Sequence, residues 1–308
     1  MKLFSSIPLN YTFNNSVITI GSFDGVHVGH QQLLKKINSI ATTQKGESVL
    51  ITFNPHPRTI IQSKNKIHLL QSLDEKIKTL EQTGLQNLVI VPFTREFSQQ
   101  NPEDYIVNFL VQNFNPKVIV IGYNHRFGKN REGDIALLNK LSKKHNYSVE
   151  QITKQQVEDI SVSSTKIRNA LQKGEIETAN TLLGRAYSIF GHVVKGRQLG
   201  RKIGFPTANI IIQDEYKLIP QKGVYAVKIN FKNKLYNGML NIGTRPTIGG
   251  TKESIEANIF DFTKDIYGEV LEVQFIKYIR EERKFNTIDE LTKQLIKDKA
   301  RVLNFLLN

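Results

Sequence analysis

Residues 17–34 constrain the fold of this chain most strongly, because three patterns follow one another there without a gap. Four strand-forming residues at positions 17–20 lead directly into a short segment bounded by Gly21 and Gly25. Apolar residues then recur at helical spacing, at Leu33, Leu34, Ile37 and Ile40. This order predicts a strand, a tight turn and a helix in immediate succession.

The same stretch has the features of a phosphate site. The first N–H groups of a helix have no partner within the helix and lie at the positive end of its dipole, so they favour an anion. His27 and His30 are three residues apart, on the same side of the first turn, and Gly29 lets a ligand approach the backbone. An isolated His-x-x-His pair is often an ordinary pair of residues, but here the predicted strand, turn and helix supply its context. We therefore expect two histidine donors to face one anion.

Length and composition indicate a two-domain globular protein. The 308 residues are enough for two separate cores. No apolar run is long enough to cross a bilayer, and the N-terminus lacks the core of a signal peptide, so we expect a cytoplasmic protein. The absence of cysteine excludes disulfides, thiolate catalysis and cysteine-ligated metals.

The net charge of +14 favours polyanionic ligands. The lysines are scattered through the chain, however, and they form no dense basic tract. That distribution fits local phosphate pockets better than a nucleic-acid surface.

The N-terminal half is predicted to contain a parallel sheet. Short apolar runs alternate with helical patterns at residues 17–20, 49–53, 88–91, 118–121 and 148–152. Ser72 with Glu75 predicts one helix start, and Asn101 with Pro102 predicts another. Because such sheets bind ligands at the carboxyl ends of their strands, site residues should follow strands.

Two loops that follow these predicted strands are candidates for that edge. The first contains Pro55, His56 and Pro57, and the second is bounded by glycines and contains Asn124. In either loop alone the prolines or glycines could serve only to form a turn, but the shared position of the two loops favours a functional role.

A third candidate begins a predicted helix. Ser163, Ser164 and Thr165 can cap that helix, and Arg168 lies one turn further along. Caps are common, but a hydroxyl-rich helix start followed by arginine is also an anion site. Helical segments continue to Gly184, so we place the domain boundary there, with domains at residues 1–184 and 185–308.

The C-terminal half is predicted to be an antiparallel barrel or sandwich. Strand patterns lie close together at residues 188–194, 224–231, 235–242, 253–260 and 270–276. Apolar and polar residues alternate in the last of them, as expected of half-buried strands. A final helix that starts at Thr287, with Glu290 in a capping box, can close one end.

A basic, glycine-rich stretch begins this second half. Its glycines, with Arg201 between them, suit a backbone that approaches phosphates, although a glycine-rich hairpin without a ligand has the same composition. The glycines are Gly191, Gly196, Gly200 and Gly204. Thr207 and Asn209 follow and alternate to one face of a strand. Two neutral oxygens suit Mg²⁺, which takes few protein ligands beside nucleotide phosphates.

These motifs resemble one enzyme family. The segment from Gly21 to His30 resembles the H-x-G-H signature of nucleotidylyl transferases, in the longer form found in bacterial bifunctional riboflavin kinase/FMN adenylyltransferases (FAD synthetases). Residues 163–168 resemble the S-S-T-x-I-R element of that family, and residues 204–209 resemble its flavokinase G-F-P-T-A-N signature. The resemblance spans residues 17–303.

The resemblance implies a Rossmann-like α/β nucleotidylyl transferase domain with a parallel sheet, followed by an all-β flavokinase barrel with a terminal helix. It implies that ATP phosphorylates riboflavin to FMN, and that a second ATP adenylylates FMN to FAD with release of pyrophosphate. Riboflavin, FMN and ATP are the implied partners, with Mg²⁺ as cofactor and ATP as co-substrate. Nucleic acid, a membrane and an obligatory protein partner are not expected.

The resemblance also assigns roles to residues. Catalysis is implied for His27, His30 and Arg168 in the first domain and for Glu256, as the base, in the second. Thr207 and Asn209 are the implied Mg²⁺ ligands. Nucleotide or flavin binding is implied for Gly21, Phe23, Asp24, Gly25, Gly29, Pro55, His56, Pro57, Asn124, Ser163, Ser164, Thr165, Gly191, Gly196, Gly200, Arg201, Gly204, Thr207, Asn209, Arg280 and Phe285. No role is assigned where the sequence departs from the family pattern, at His125, Arg126, Lys195, Arg197 and Asn258.

Two alternatives stay open at this point. One is a nucleotidylyl transferase that acts on another phosphate acceptor and carries an unrelated appendage. The segment from Pro206 to Asn209 and Glu256 argue against this alternative. The other is a basic nucleic-acid-binding protein whose sites have decayed.

Overall fold

The computed structural model describes residues 1–61, 67–123, 125–152, 162–196, 198–247 and 250–307. The chain divides into two compact units, Met1–Ser164 and Thr165–Asn308. The first contains a parallel sheet and the second a closed antiparallel barrel, so the predicted fold class is confirmed.

The first unit is built on six parallel strands. They are β1 (Lys2–Phe4), β2 (Ser16–Ile20), β3 (Ser48–Asn54), β4 (Asn87–Pro92), β5 (Pro116–Gly122) and β6 (Ser148–Ile152). Their spatial order is β1-β4-β3-β2-β5-β6, and every neighbouring pair is parallel. The five predicted strands are all present. The additional edge strand β1 is too short for its sequence to show a period.

Helices lie between the successive strands from β2 to β6. They are α1 (Val28–Thr43), α2 (Pro57–Ile61), α3 (Leu73–Glu81), α4 (Arg95–Ser98), α5 (Pro102–Asp104, continued by the π-helical Tyr105–Val111 and by Gln112–Phe114) and α6 (Ile135–Ser142). Ser72 and Glu75 form the predicted capping box of α3, and the Asn101 side chain caps α5.

Both faces of the sheet are buried. Ile18 and Ile51 pack into one apolar cluster, whereas Val17 and Leu50 pack into the other together with Leu34 of α1. This burial explains why β2 to β5 are largely apolar in sequence. Each such side chain contributes roughly 1.5–3 kcal/mol to stability.

The second unit is built on six antiparallel strands that form a closed barrel. They are β7 (Tyr187–Val194), β8 (Ala208–Ile211), β9 (Gly223–Phe231), β10 (Lys234–Thr247), β11 (Gly250–Ile259) and β12 (Val270–Arg280). Their order around the barrel is β10-β11-β8-β7-β12-β9. The helices of this unit include α8 (Ile176–Leu183), α9 (Leu199–Lys202) and α10 (Ile288–Leu307), and α7 (Ser164–Gln172) begins at the last residue of the first unit.

Helix α10 packs on the barrel as its sequence pattern indicated. Val302 is fully buried in a cluster with Met239 and Phe260. The Glu290 backbone N–H donates to Thr287 Oγ1 at 3.2 Å, whereas the Glu290 carboxylate accepts from the Asn286 N–H at 3.1 Å. Within the described ranges, no helix combines the length and the apolar character that crossing a bilayer requires.

The compact units meet at Ser164, twenty residues before the domain boundary that the sequence predicts. Helix α8 packs on the barrel, where the Asn180 side chain donates to the Phe275 carbonyl at 2.8 Å and accepts from the Tyr187 N–H at 2.7 Å. Gly184 ends α8 in the left-handed conformation, at φ +71°. The functional boundary after residue 184 stays a prediction.

Candidate functional sites

The turn between β2 and α1 is strained. The Val26 N–H donates to the Phe23 carbonyl at 3.2 Å, and φ is +48° at Phe23 and +37° at Val26. A β-branched residue at positive φ is a genuine backbone outlier. Strain of this kind collects at functional sites, where surrounding contacts maintain it.

His27 and His30 lie together at the start of α1. His27 is the N-cap residue, and its Nδ1 accepts a hydrogen bond from the His30 backbone N–H at 3.3 Å. The two imidazoles are stacked with centroids 3.6 Å apart, and the Phe23 ring lies 4.5 Å from the His30 ring. Because His27 Nδ1 is an acceptor, the neutral ring carries its proton on Nε2. The rings therefore lie on one side of the first turn, as the spacing predicted.

Asp24 holds the turn in place through its side chain and its backbone carbonyl. Its carboxylate is buried and accepts the backbone N–H groups of Leu70, at 3.0 Å, and Gln71, at 3.3 Å. Its backbone carbonyl accepts from Ser164 Oγ at 2.9 Å. The structure thus brings Ser164, one of the hydroxyl residues that the sequence singled out, to the turn.

The other predicted residues of that segment are placed as follows. Ser163 precedes α7, and Thr165 and Arg168 lie within it, in the second compact unit. The approach of Arg168 to the two histidines stays a prediction.

Three loops leave the sheet at one edge. Gly21 follows β2, Pro55 follows β3 and the loop that contains His125 follows β5. In the sheet, β2 lies between β3 and β5. Asn124 lies outside the described residues. Gly21 and the Pro55 loop therefore share the carboxyl edge of the sheet, where parallel sheets bind ligands.

Within these loops several side chains have local partners. His56 precedes α2, which begins at Pro57, and His56 Nδ1 accepts a hydrogen bond from the Arg58 backbone N–H at 3.2 Å. Arg126 forms an ion pair with Asp134 at 3.0 Å. Burial, helped by the nearby charge of Arg131, lowers the pKa of His125 to about 4.

The second unit has a cavity of about 560 Å³, and several of the predicted kinase residues line it. Thr207 Oγ1 donates to Glu256 Oε2 at 3.4 Å, and Asn209 of β8 lies directly opposite Glu256 of β11. Gly200, Arg280 and Phe285 also line the cavity. An alcohol entering here would meet a carboxylate, a hydroxyl and an amide within a small space.

Asn258 has a structural task that the sequence did not reveal. Its side chain is buried and donates to the Pro206 carbonyl at 2.6 Å, and it also lines the cavity. The contact fixes the residue before Thr207. The sequence did offer one indication, because Asn258 lies two residues after Glu256 and both side chains therefore share one face of β11.

The glycines of the basic stretch differ in position. A Cβ at Gly196 would overlap the Asn209 amide, and a Cβ at Gly200 would overlap the Phe205 carbonyl, so both permit close packing on residues 205–209. Gly191 instead packs against Ile210 inside the barrel. Arg201 is exposed, and neither it nor Gly204, at φ +78°, is among the lining residues of the cavity. The binding roles of these positions stay predictions.

Arg280 is held by an acidic partner. Its Nε and Nη2 donate to the two carboxylate oxygens of buried Asp298 at 3.1 and 2.7 Å. Gln294 donates to the same carboxylate at 2.8 Å. The Arg280 guanidinium also lies 5.9 Å from the centroid of the Phe285 ring. This fork joins β12 to α10 at the rim of the cavity.

The donor set of the cavity fits a magnesium ion bound with a nucleotide. Among the described residues, no three His, Asp or Glu side chains cluster as a metal site would require. Thr207 and Asn209 nevertheless bring hydroxyl and amide oxygens beside the carboxylate of Glu256. Hard oxygen donors of this kind, few in number, are what Mg²⁺ uses when phosphates complete its shell.

Two family profiles match the chain. A profile described as FAD synthetase matches residues 10–166, and one described as riboflavin kinase matches residues 183–306. The histidine pair lies within the first match, and the Thr207 and Glu256 cavity lies within the second.

Relatives match over nearly the whole length. The bifunctional riboflavin kinase/FMN adenylyltransferase of Haemophilus influenzae is 38% identical over 290 residues, which cover 94% of each chain. That of Bacillus subtilis is 38% identical over 299 residues, covering 95% of this chain and 93% of the relative. The crystal structure of a macrolide-efflux protein from Streptococcus pneumoniae matches with a TM-score of 0.87 and 29% identity, covering 98% of each chain.

Proposed function

The chain belongs to the family of bifunctional riboflavin kinase/FMN adenylyltransferases, and we propose on that premise that it converts riboflavin to FMN and FMN to FAD. The observation that carries the proposal is the match of two family profiles to separate halves, each holding one of the two sites described above. A transferase with an unrelated appendage would lack the second match, and a nucleic-acid-binding protein would require neither.

In the kinase reaction, we assign Glu256 as the base. Its carboxylate accepts the proton of the riboflavin 5′-hydroxyl as that oxygen bonds to the γ-phosphorus of ATP, and ADP leaves. Thr207, 3.4 Å from Glu256 Oε2, orients the carboxylate, and Asn258 holds the preceding Pro206 carbonyl. Phe285, at the cavity rim, offers a ring on which the flavin can stack.

Thr207 and Asn209 would hold a Mg²⁺ ion bound with the nucleotide, and that ion would neutralise charge on the transferred phosphoryl group. The remaining contributions are those of the chain. The close packing of Gly196 and Gly200 on residues 205–209 holds the segment that carries Thr207 and Asn209.

In the adenylyltransferase reaction, the FMN phosphate attacks the α-phosphorus of a second ATP, and pyrophosphate leaves. The nucleophile is already an anion, so no base is required. His27 and His30 stabilise the charge that develops on the leaving group, together with the start of α1, Ser164 and Arg168. The enzyme acts in the cytoplasm on this proposal, with riboflavin, FMN and ATP as its substrates.

The test is to incubate the purified chain with riboflavin, ATP and Mg²⁺ and to separate the flavins by chromatography over time. FMN should appear first and FAD afterwards, and FMN supplied directly should give FAD without a lag. Omission of Mg²⁺ should stop FMN formation. Absence of both products would refute the proposal, and FMN alone would restrict it to the C-terminal unit.

A further inference from the structure

Lys76 is a buried lysine that contacts the turn between β2 and α1. It lies in α3 with only 7% of its surface exposed, and its Nζ donates to the Ser22 carbonyl at 3.0 Å and to Thr52 Oγ1 at 3.4 Å. Thr52 Oγ1 donates to the same carbonyl at 3.2 Å. Lysine is almost never buried to this extent without a partner, so these contacts require an explanation.

The burial of this ammonium is unfavourable by itself. Burial lowers the pKa of Lys76, and the nearby carboxylate of Asp24 opposes that shift. A buried charge is weak evidence for a stabilising role, because an apolar side chain of similar volume often stabilises a core equally well. The neighbouring α3 positions Ile77 and Leu80 pack in the apolar core, so the helix does not depend on Lys76 for its attachment.

The geometry of the peptide explains what the contact achieves. The Ser22 carbonyl and the Phe23 N–H belong to one trans peptide plane, so they point in opposite directions. An ammonium that holds the carbonyl toward α3 therefore directs the Phe23 N–H away from α3. It also fixes the backbone of Phe23, whose ring lies 4.5 Å from the His30 ring.

We propose that Lys76 is a positioning residue for the formation of FAD, which orients the Ser22–Phe23 peptide and thereby the Phe23 ring against which His30 stacks. The inference rests on the proposed adenylyltransferase function and adds to it a residue that does not touch the substrate. It predicts a loss of rate rather than a loss of binding, because the displaced groups stabilise the transition state.

The first test replaces the ammonium with an apolar side chain of similar length in the full-length protein. Lys76→Met should lower kcat for FAD formation about 10- to 100-fold, the effect of a small misplacement, with KM for FMN and ATP nearly unchanged. FMN formation by the same protein should stay at the wild-type rate. The matched control is Lys78→Met, which changes an exposed lysine of the same helix and should leave both rates unaltered.

The second test separates charge from packing. Because the chain has no cysteine, Lys76→Cys creates a single thiol. Alkylation with 2-bromoethylamine under denaturing conditions, followed by refolding, restores an ammonium of nearly the original length, whereas 1-iodopropane restores only the volume. Wild-type protein is carried through the same treatment.

The aminoethylated protein should regain most of the FAD-forming rate, and the propylated protein should not. Equal recovery with both reagents, or an unchanged kcat in Lys76→Met, would overturn the inference. Untreated wild-type protein that formed no FAD would instead refute the proposed function. Failure of the inference and failure of the proposed function can therefore be distinguished.

Discussion

His27 Nδ1 accepts the backbone N–H of His30 at 3.3 Å, so one side chain both caps α1 and belongs to the proposed catalytic pair. The hydrogen bond determines which nitrogen of the neutral His27 ring carries the proton, and the two rings are stacked with their centroids 3.6 Å apart. Structure and catalysis can therefore be separated by replacing His27 with residues that cap a helix well or poorly.

We expect His27→Asn and His27→Ala to lose FAD formation to a similar extent but to differ in stability. Asparagine caps a helix well, whereas alanine at an N-cap costs about 0.5–2 kcal/mol. Both lose the Nε2 donor, which should lower the rate of FAD formation by roughly 10²- to 10³-fold. Urea unfolding of each variant measures the change in stability, and chromatography of the products measures the rate of FAD formation. Full activity in His27→Asn would show that His27 is only a cap.

His30→Ala should abolish FAD formation and leave FMN formation intact. The reason is that His30 lies in the first compact unit, whereas the Glu256 cavity lies in the second. The two products are measured separately, with riboflavin as substrate for one assay and FMN for the other. Equal losses of both activities would contradict the assignment of two sites.

Glu256→Gln should give the opposite pattern. The amide keeps the size of the side chain and an oxygen that can accept from Thr207, but it cannot take the proton of the riboflavin hydroxyl. FMN formation should therefore fall about 10²- to 10⁴-fold, the usual contribution of a general base. Conversion of added FMN to FAD serves as the internal control and should not change. A variant that still phosphorylates riboflavin at the wild-type rate would remove Glu256 from the mechanism.

Sequence patterns predicted those features that local chemistry determines. The strands β2 to β5 were evident because both of their faces are buried, whereas the partly exposed edge strand β6 has a weaker pattern. The Ser72 cap was evident because its partner is three residues away. The proximity of Thr207 to Glu256, 49 residues apart, followed from family resemblance, since no local spacing encodes it.

Contacts that depend on strand pairing or helix docking could not be predicted in this way. No sequence pattern marks Lys76 as buried, because its approach to the Ser22 carbonyl depends on how α3 packs. The Asn258 contact with Pro206 requires the pairing of β11 with β8. The end of the first compact unit at Ser164 likewise depends on the docking of α8 onto the barrel, which no composition change marks.

The first unit should become less stable between pH 6.5 and about 4 because of His125. Its pKa is lowered from 6.5 to about 4 in the folded chain, so the unfolded chain binds a proton that the folded chain excludes. The contribution to stability is complete above pH 6.5 and decreases as pH falls toward 4, by at most about 3 kcal/mol.

His125→Gln should flatten that part of the stability profile, measured by urea unfolding at several pH values. His68→Gln, which changes an exposed histidine of the same unit, is the matched control and should keep the wild-type slope. An identical slope in His125→Gln and wild type would show that other groups cause the pH dependence.

Asp298→Asn should destabilise the second unit and impair the kinase. Asp298 is buried and accepts a two-pronged hydrogen bond from Arg280, at 3.1 and 2.7 Å, so the amide would leave the Arg280 charge without its counter-charge. Breaking a buried pair in this way typically costs about 3–5 kcal/mol. The urea concentration at which FMN-forming activity is lost should fall accordingly. Asp289→Asn changes an exposed aspartate on the same helix and should have no such effect. Arg280 also lines the cavity, with its guanidinium 5.9 Å from the centroid of the Phe285 ring, so Asp298→Asn should raise KM for riboflavin even in the absence of urea. An unchanged KM would show that the contact between Arg280 and Asp298 serves stability alone.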